Sequence, residues 1–197
     1  ADVQFVFQPA KRLTHPKIPF PIGHGYAISP VGLYPKSRGT IRLASNDPTA
    51  APLIDPNLLK EPEDILPLIR ALKISREAFA TQPFAKYDGV EVAPGPDCVT
   101  DEQWDAYIRA TGYTVHHPVG TCKMGDPGEA STVVDPQLRV KGIAGLRVAD
   151  ASVMPSVIGG NTNAPCVMIG ERCADFILGK PQLPAVELPP TSVARYK

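Results

Sequence analysis

The chain has 197 residues and a balanced charge, with 20 lysines and arginines against 20 aspartates and glutamates. This balance gives no electrostatic attraction for nucleic acid or for an anionic membrane, so the sequence argues against both as partners. A hydrophobic share of 43% is ordinary for a folded globular protein. No apolar run approaches the roughly 20 residues that a membrane helix needs. The length is enough for one good core or two small ones.

The four cysteines, Cys98, Cys122, Cys166 and Cys173, form no Cys-x-x-Cys pair, which argues against a structural zinc site. Cys166 and Cys173 fall in one predicted helix, where their spacing at 1.5 Å per residue separates them by about 10 Å. A disulfide needs Cα atoms within roughly 7 Å, so this pair cannot close. We therefore expect free thiols, a reducing compartment and a cytoplasmic location.

The first part of the chain predicts short antiparallel strands. Val3, Phe5 and Phe7 recur at every second position, a pattern typical of a strand, and residues 25–33 and 40–43 predict two more. Proline-containing connections separate the strands, at residues 16–21 and 35–39. We expect one antiparallel sheet with one solvent-exposed face.

Two helices are predicted next. Between residues 63 and 79 the apolar positions change to a helical stripe, formed by Ile65, Leu68, Ile69, Leu72 and Phe79. Pro67 either kinks the first turn of this helix or marks its start. A second helix is predicted to begin at Thr100, with Gln103 as its capping-box partner. Its inner face is interpreted as core rather than as a ligand contact, and consists of Trp104, Tyr107 and Ile108.

The last third of the chain combines turns, a strand and a helix. Residues 133–140 predict a short turn between apolar stretches, and residues 145–150 predict a buried strand that ends on a carboxylate. A final helix is predicted over residues 165–178, because Pro165 suits a first helical position and Gly179 suits a helix end. The tail beyond it is rich in proline, and we expect it to lie on the surface.

A pair of adjacent histidines, His116 and His117, runs directly into Pro118. Proline restricts the residue before it, so we expect His117 to be held rigidly on extended backbone. An imidazole titrates at about pH 6.5 and could serve there as a general base. The alternative is a loop histidine that hydrogen-bonds backbone groups. A metal site is disfavoured, because neighbours on extended chain face opposite ways and His15 and His24 show no convergent spacing.

A second polar stretch, residues 158–165 (IGGNTNAP), lies at the start of the final predicted helix. Gly159 and Gly160 allow another group to approach the backbone closely. The free N–H groups and partial positive charge of a helix start could stabilise an anion. A helix start with nothing bound is the alternative, and spacing alone does not decide between the two.

Taken in order, these stretches resemble the C-terminal signature of the glucose-methanol-choline (GMC) family of FAD-dependent oxidoreductases. The similar segments are residues 33–39 (LYPKSRG), 117–125 (HPVGTCKMG), 134–136 (VDP), 138–142 (LRVKG), 146–152 (LRVADAS), 161–165 (NTNAP) and 170–172 (GER). The resemblance implies an α+β fold in which an antiparallel sheet is flanked by helices, with a C-terminal strand and helix that pack on the FAD-binding domain. It also implies a substrate-binding domain at residues 1–132, which carries the histidine segment. Residues 133–197 would complete the flavin-binding domain and end in a surface tail.

The resemblance assigns roles to individual residues. His117 matches the catalytic base that takes the proton of the alcohol hydroxyl. Asn161 matches the second catalytic position, where an amide can hydrogen-bond the substrate oxygen but cannot act as a base. The positions that match contacts with the cofactor FAD are Asp150, Ala151 and the backbone of Thr162 and Asn163. The positions that match the wall beside flavin and substrate are Val115 and His116. No metal is implied.

The family's Gly-x-Gly-x-x-Gly fingerprint for the ADP part of FAD is absent, since Gly23-His24-Gly25 lacks the third glycine. The resemblance thus covers the second half of such an enzyme, and we expect the N-terminal FAD-binding half as a partner. The predicted function is oxidation of a primary alcohol to an aldehyde, by proton abstraction at His117 and hydride transfer to flavin N5. The alternatives are a hydroxynitrile-lyase-like, non-redox member and a cofactor-free binding module.

Overall fold

The structure is a computed structural model that describes residues 1–10, 23–87, 89–181 and 183–184. The proline-rich connection predicted at residues 16–21 and most of the tail after Gly179 lie outside the described residues. The described chain mixes α-helices with short antiparallel strands. Most of its buried apolar side chains form two separate clusters.

The strands form two small sheets. Strand β1 (Val3–Gln8) pairs antiparallel with β2 (Ala27–Gly32), and β3 (Thr40–Arg42) pairs antiparallel with β4 (Leu53–Asp55). The three predicted strands are confirmed, but the expectation of one sheet with one solvent-exposed face is wrong. All residues of β3 and β4 are exposed, and the turn at residues 35–38 carries the chain away from β2 before β3 begins.

Helix α1 (Leu66–Phe79) follows a turn of 3-10 helix at Pro62–Asp64. Pro67 lies in the first turn of α1, so it marks the start of the helix and does not kink it. A short helix, α2 (Gln82–Ala85), comes next and was not predicted. Its four residues are too few to show a helical period.

Helix α3 (Asp101–Thr111) has the predicted capping box. The hydroxyl of Thr100 accepts from the backbone N–H of Gln103 at 3.3 Å, and the side chain of Gln103 accepts from the N–H of Thr100 at 2.9 Å. Two predicted inner-face side chains, Trp104 and Ile108, are buried against α1. This packing between α1 and α3 forms the first hydrophobic core, which consists of Ile65, Ile69, Trp104 and Ile108.

Helix α4 (Asn163–Ile177) packs on the second hydrophobic core, and Gly179 follows its end with a positive φ of 64°. This core consists of Val134, Leu138, Val153, Met154, Ile169 and Cys173. The predicted turn within residues 133–140 is present, because Leu138 N–H donates to the carbonyl of Asp135 at 2.8 Å.

The strand predicted at residues 145–150 is wrong. Only an isolated bridge joins Arg147 to Arg139, and Leu146 is exposed. Gly142 and Gly145 both have positive φ, so the chain turns just before the segment and again at its first residue, which leaves no run long enough to form a ladder. The segment that leads to α4 is therefore a series of turns.

All four cysteines are free, as predicted. Cys173 lies in the second core, and the other three are half-buried. None of the helices in the described part of the chain is long and apolar enough to cross a membrane.

Candidate active site

The structure brings together the two polar stretches that the sequence analysis singled out. The side-chain nitrogen Nδ2 of Asn161 lies 2.8 Å from Nε2 of His117, although the two residues are 44 positions apart in the chain. The hydroxyl oxygen of Thr162 lies 3.0 Å from the other ring nitrogen, Nδ1 of His117. Both nitrogens of one imidazole are therefore held by adjacent residues at the start of α4.

Backbone hydrogen bonds place the histidine segment. Cys122 N–H donates to the carbonyl of Ser152, and Met124 N–H donates to the carbonyl of Val153, both at 2.9 Å. The segment after His117 therefore runs beside the 3-10 turn at Ala151–Val153. Gly120 adopts a φ of 90°, a conformation that favours glycine, and this bend lets the chain leave the proline and join that turn.

The other half of the site is placed by α4. Thr162 is the N-cap residue of this helix, and its carbonyl accepts from the N–H of Cys166 at 3.0 Å. Ile169 and Cys173 anchor the same helix in the second core. The start of α4, with Asn161 and Thr162, is thus held by a packed helix rather than by a free loop.

Tyr34 reaches this region and was not identified from the sequence. A Cβ atom at Gly159 would overlap the hydroxyl end of the Tyr34 ring, so a glycine is needed for this approach. Tyr34 lies at the start of the turn at residues 35–38, more than a hundred positions away, and no local pattern links it to Gly159. The Tyr34 ring therefore lies against Gly159, which is two positions before Asn161 in the chain.

The carboxylate of Asp64 fixes the turn that carries Tyr34. It accepts hydrogen bonds from Lys36 N–H at 2.6 Å, from Ser37 N–H at 2.9 Å and from the Ser37 hydroxyl. Burial alone would raise the pKa of Asp64, but these hydrogen bonds to the ionised form outweigh burial and lower the pKa. The ionised carboxylate is therefore the form that holds the turn.

The remaining predicted site residues lie next to the His117–Asn161 pair in the chain or on the 3-10 turn that runs beside the histidine segment. The carboxylate of Asp150 accepts from Ser152 N–H at 2.7 Å and caps the 3-10 turn. Ala151 is half-buried and packs against the second core. Asn163 is the first residue of α4 and is exposed.

Val115 and His116 are exposed beside His117. His116 adopts a positive φ of 65°, and its N–H donates to the Thr114 hydroxyl at 3.0 Å. The two histidines were expected to lie on extended backbone. At His116 this is wrong, because its positive φ bends the chain immediately before His117. Among the described residues, no three His, Cys, Asp or Glu side chains are grouped so that they could hold a metal ion.

These features define a class of α+β proteins in which a loop histidine contacts an amide side chain at the start of a long helix. The family follows from comparison with known proteins. A family model described as GMC oxidoreductase matches residues 35–170, and the chain belongs to the GMC oxidoreductase family. The resemblance found in the sequence is thereby confirmed.

Individual relatives agree with this assignment. The chain is 43% identical over 187 residues to an alcohol dehydrogenase [acceptor] of Pseudomonas putida, covering 94% of this chain and 33% of the relative. It is 41% identical over 182 residues to mitochondrial choline dehydrogenase of Homo sapiens, covering 92% of this chain and 30% of the relative. An FAD-dependent oxidoreductase from Chaetomium thermophilum has a similar structure, with a TM-score of 0.72 and 31% identity over 80% of this chain and 27% of that one. The chain thus spans about a third of the length of the relatives it matches.

Proposed function

We propose that this chain is the catalytic, substrate-binding part of a GMC-type, FAD-dependent alcohol oxidase or dehydrogenase that converts a primary alcohol to an aldehyde. The contact of 2.8 Å between His117 Nε2 and the amide nitrogen of Asn161 carries the proposal, since it joins a proton acceptor to a hydrogen-bond donor. The names of the relatives, an alcohol dehydrogenase and a choline dehydrogenase, support a CH–OH substrate.

His117 accepts the proton of the substrate hydroxyl at Nε2. Asn161 has no basic group at neutral pH, so its amide donates a hydrogen bond to the substrate oxygen. The two side chains are already in hydrogen-bond contact, so the substrate hydroxyl must enter between them. The Asn161 amide then donates to the substrate oxygen instead of to Nε2 of His117. The pair thus holds the oxygen from two sides while the proton moves to His117.

The residues at the start of α4 fit the ring end of FAD. The helix has 15 residues and Thr162 makes no side-chain cap, so N–H groups of the first turn and the positive end of the helix remain for an anionic partner. Asp150, Ala151 and the backbone of Thr162 and Asn163 would lie along the cofactor, with Val115 and His116 on the wall beside the substrate. When bound, FAD supplies the acceptor of the substrate hydride.

The ADP part of FAD needs a second partner, the N-terminal FAD-binding half. The face of α4 that points away from the second core supports such a partner, because it exposes large apolar side chains around Glu171. It includes Val167, Met168, Ile177 and Leu178, whose exposed fractions are 61%, 55%, 64% and 67%. We retain the division into a substrate domain at residues 1–132 and a segment at residues 133–197 that completes the flavin-binding domain.

The test uses the complete enzyme, with FAD bound and oxygen removed, and measures flavin reduction by alcohol in a stopped-flow instrument. His117→Ala is expected to slow flavin reduction by about 10²–10⁴-fold, the usual contribution of a general base. His24→Ala is the matched control, since His24 is exposed and is not one of the residues that hydrogen-bond the His117 ring. An unchanged rate in His117→Ala would refute the assignment.

A further inference from the structure

Thr162 occupies the N-cap position of α4, but its hydroxyl does not cap the helix. A threonine at this position ordinarily accepts a hydrogen bond from the first turn and has extended backbone. Here the backbone is helical, with φ of −86° and ψ of −7°, and there is no side-chain cap bond. The hydroxyl instead lies 3.0 Å from Nδ1 of His117, in a residue that is 7% exposed.

With the amide nitrogen of Asn161 facing Nε2, the contacts of His117 fit only one neutral form of the ring. The amide nitrogen of Asn161 can only donate, so Nε2, 2.8 Å away, must carry a lone pair. A neutral imidazole has one N–H, which must then be on Nδ1. The Thr162 hydroxyl, 3.0 Å from Nδ1, is the acceptor for that N–H.

We propose that Thr162 is a positioning residue: its hydroxyl accepts from the Nδ1–H that the Asn161 contact selects, and so holds the His117 ring with its Nε2 lone pair available for the substrate proton. This inference rests on the proposed function, because it names the residue that prepares the proposed base. The alternative tautomer would place a proton on Nε2, where it would face the N–H₂ of Asn161 and could not accept the substrate proton.

The hydrogen bonds that Thr162 and Asn161 make to the His117 ring respond differently when the ring is protonated. The imidazolium keeps its N–H on Nδ1, so Thr162 remains a suitable acceptor before and after transfer. Asn161 cannot keep its contact, because Nε2 then carries a proton and two donors would face each other. Thr162 is therefore the constant support of the ring, and Asn161 is the partner that changes.

The first experiment measures flavin reduction by alcohol in the complete enzyme as a function of pH. Thr162→Val keeps the shape of the side chain and removes the hydroxyl, and we expect the rate to fall about tenfold or more, as for loss of a hydrogen bond to a charged group. The fall should appear in the reduction rate rather than in substrate binding, and the limb of the pH profile that reports the base should move to lower pH. Thr162→Ser should restore the rate to within about threefold.

Thr132→Val is the matched control. Thr132 is also buried, and its hydroxyl donates to backbone carbonyls of Asp126 and Glu129 at 2.8 and 3.0 Å, away from His117. We expect it to alter thermal stability without moving the pH profile. A normal rate and profile in Thr162→Val, or a failure of Thr162→Ser to restore them, would overturn the inference.

The second experiment does not depend on turnover. The ¹⁵N resonances of His117, assigned by comparison with His117→Gln, distinguish a protonated ring nitrogen from a bare one. We expect one protonated Nδ1 and one bare Nε2 in the resting enzyme, and a shifted Nδ1 resonance in Thr162→Val, where that N–H has lost its acceptor. A protonated Nε2 in the unmodified enzyme would overturn the inference even if His117→Ala abolishes flavin reduction. Normal reduction in His117→Ala would instead refute the proposed function itself.

Discussion

Replacing Asp64 by asparagine is expected to open the turn at residues 35–38. The carboxylate accepts from Lys36 N–H on one oxygen, and from the N–H and hydroxyl of Ser37 on the other. An amide offers one oxygen and one N–H₂ group. The oxygen can keep the bond from Lys36 and the N–H₂ can donate to the Ser37 hydroxyl, but Ser37 N–H then loses its acceptor.

The expected cost is about 2–3 kcal/mol, because one hydrogen bond is lost and the others no longer involve a charge. This corresponds to roughly a 30- to 150-fold increase in local opening. The effect depends on pH with a definite sign. Since the pKa of Asp64 is lowered below its ordinary value of 3.8, the native protein releases this proton more readily than the unfolded chain. The stabilisation is present above about pH 4 and is lost as the pH falls further, so the difference between the two proteins should shrink there.

Hydrogen–deuterium exchange of the complete enzyme, followed by mass spectrometry of a peptide covering residues 33–39, measures this opening. Asp47→Asn is the control, because Asp47 also accepts from a nearby N–H, that of Thr49 at 2.9 Å, but lies in another, exposed loop. Protection of residues 36 and 37 in Asp64→Asn equal to that of the unmodified enzyme would refute the reasoning. So would a difference that persists undiminished at pH 3.

Two further changes test the site and the fold. Asn161→Asp places a carboxylate beside His117, which favours the protonated ring, so we expect flavin reduction at pH 7 to fall by about tenfold and to recover as the pH rises; a pH profile identical to that of the unmodified enzyme would contradict this. Thr100→Ala removes the capping box of α3 and should cost about 1 kcal/mol, or about 2–4 °C in thermal midpoint. Thr111→Ala in the same helix is its control, since that hydroxyl only donates to the carbonyl of Tyr107, and equal shifts in the two variants would contradict the capping argument.

Features of the fold that depend on neighbouring residues were predictable. The start of α3 was located correctly because the capping box is a pattern of four consecutive positions, from Thr100 to Gln103. Pro67 left two readings open, a kinked first turn or a helix start, and the structure shows the second. By contrast, β4 has only three residues, Leu53–Asp55, and exists because β3 pairs with it, which no periodicity can show.

In the candidate site, too, the contacts between residues distant in the chain could not be predicted from local patterns. The pairing of His117 with Asn161 was expected from resemblance, because 44 intervening residues hide the contact from any local pattern. The contact of Thr162 with His117 was not anticipated, since the rule for helix starts assigns such a hydroxyl to the helix itself. Tyr34 was missed because its contact with Gly159 depends on the tertiary path of the chain.

Helix α4 has large apolar side chains on both faces, one set buried in the second core and the other exposed around Glu171. The exposed apolar side chains favour association with other molecules in solution. If this chain is expressed without a protein that binds this face of α4, we expect it to aggregate at high concentration. We expect co-expression with the proposed N-terminal FAD-binding half to reduce this aggregation.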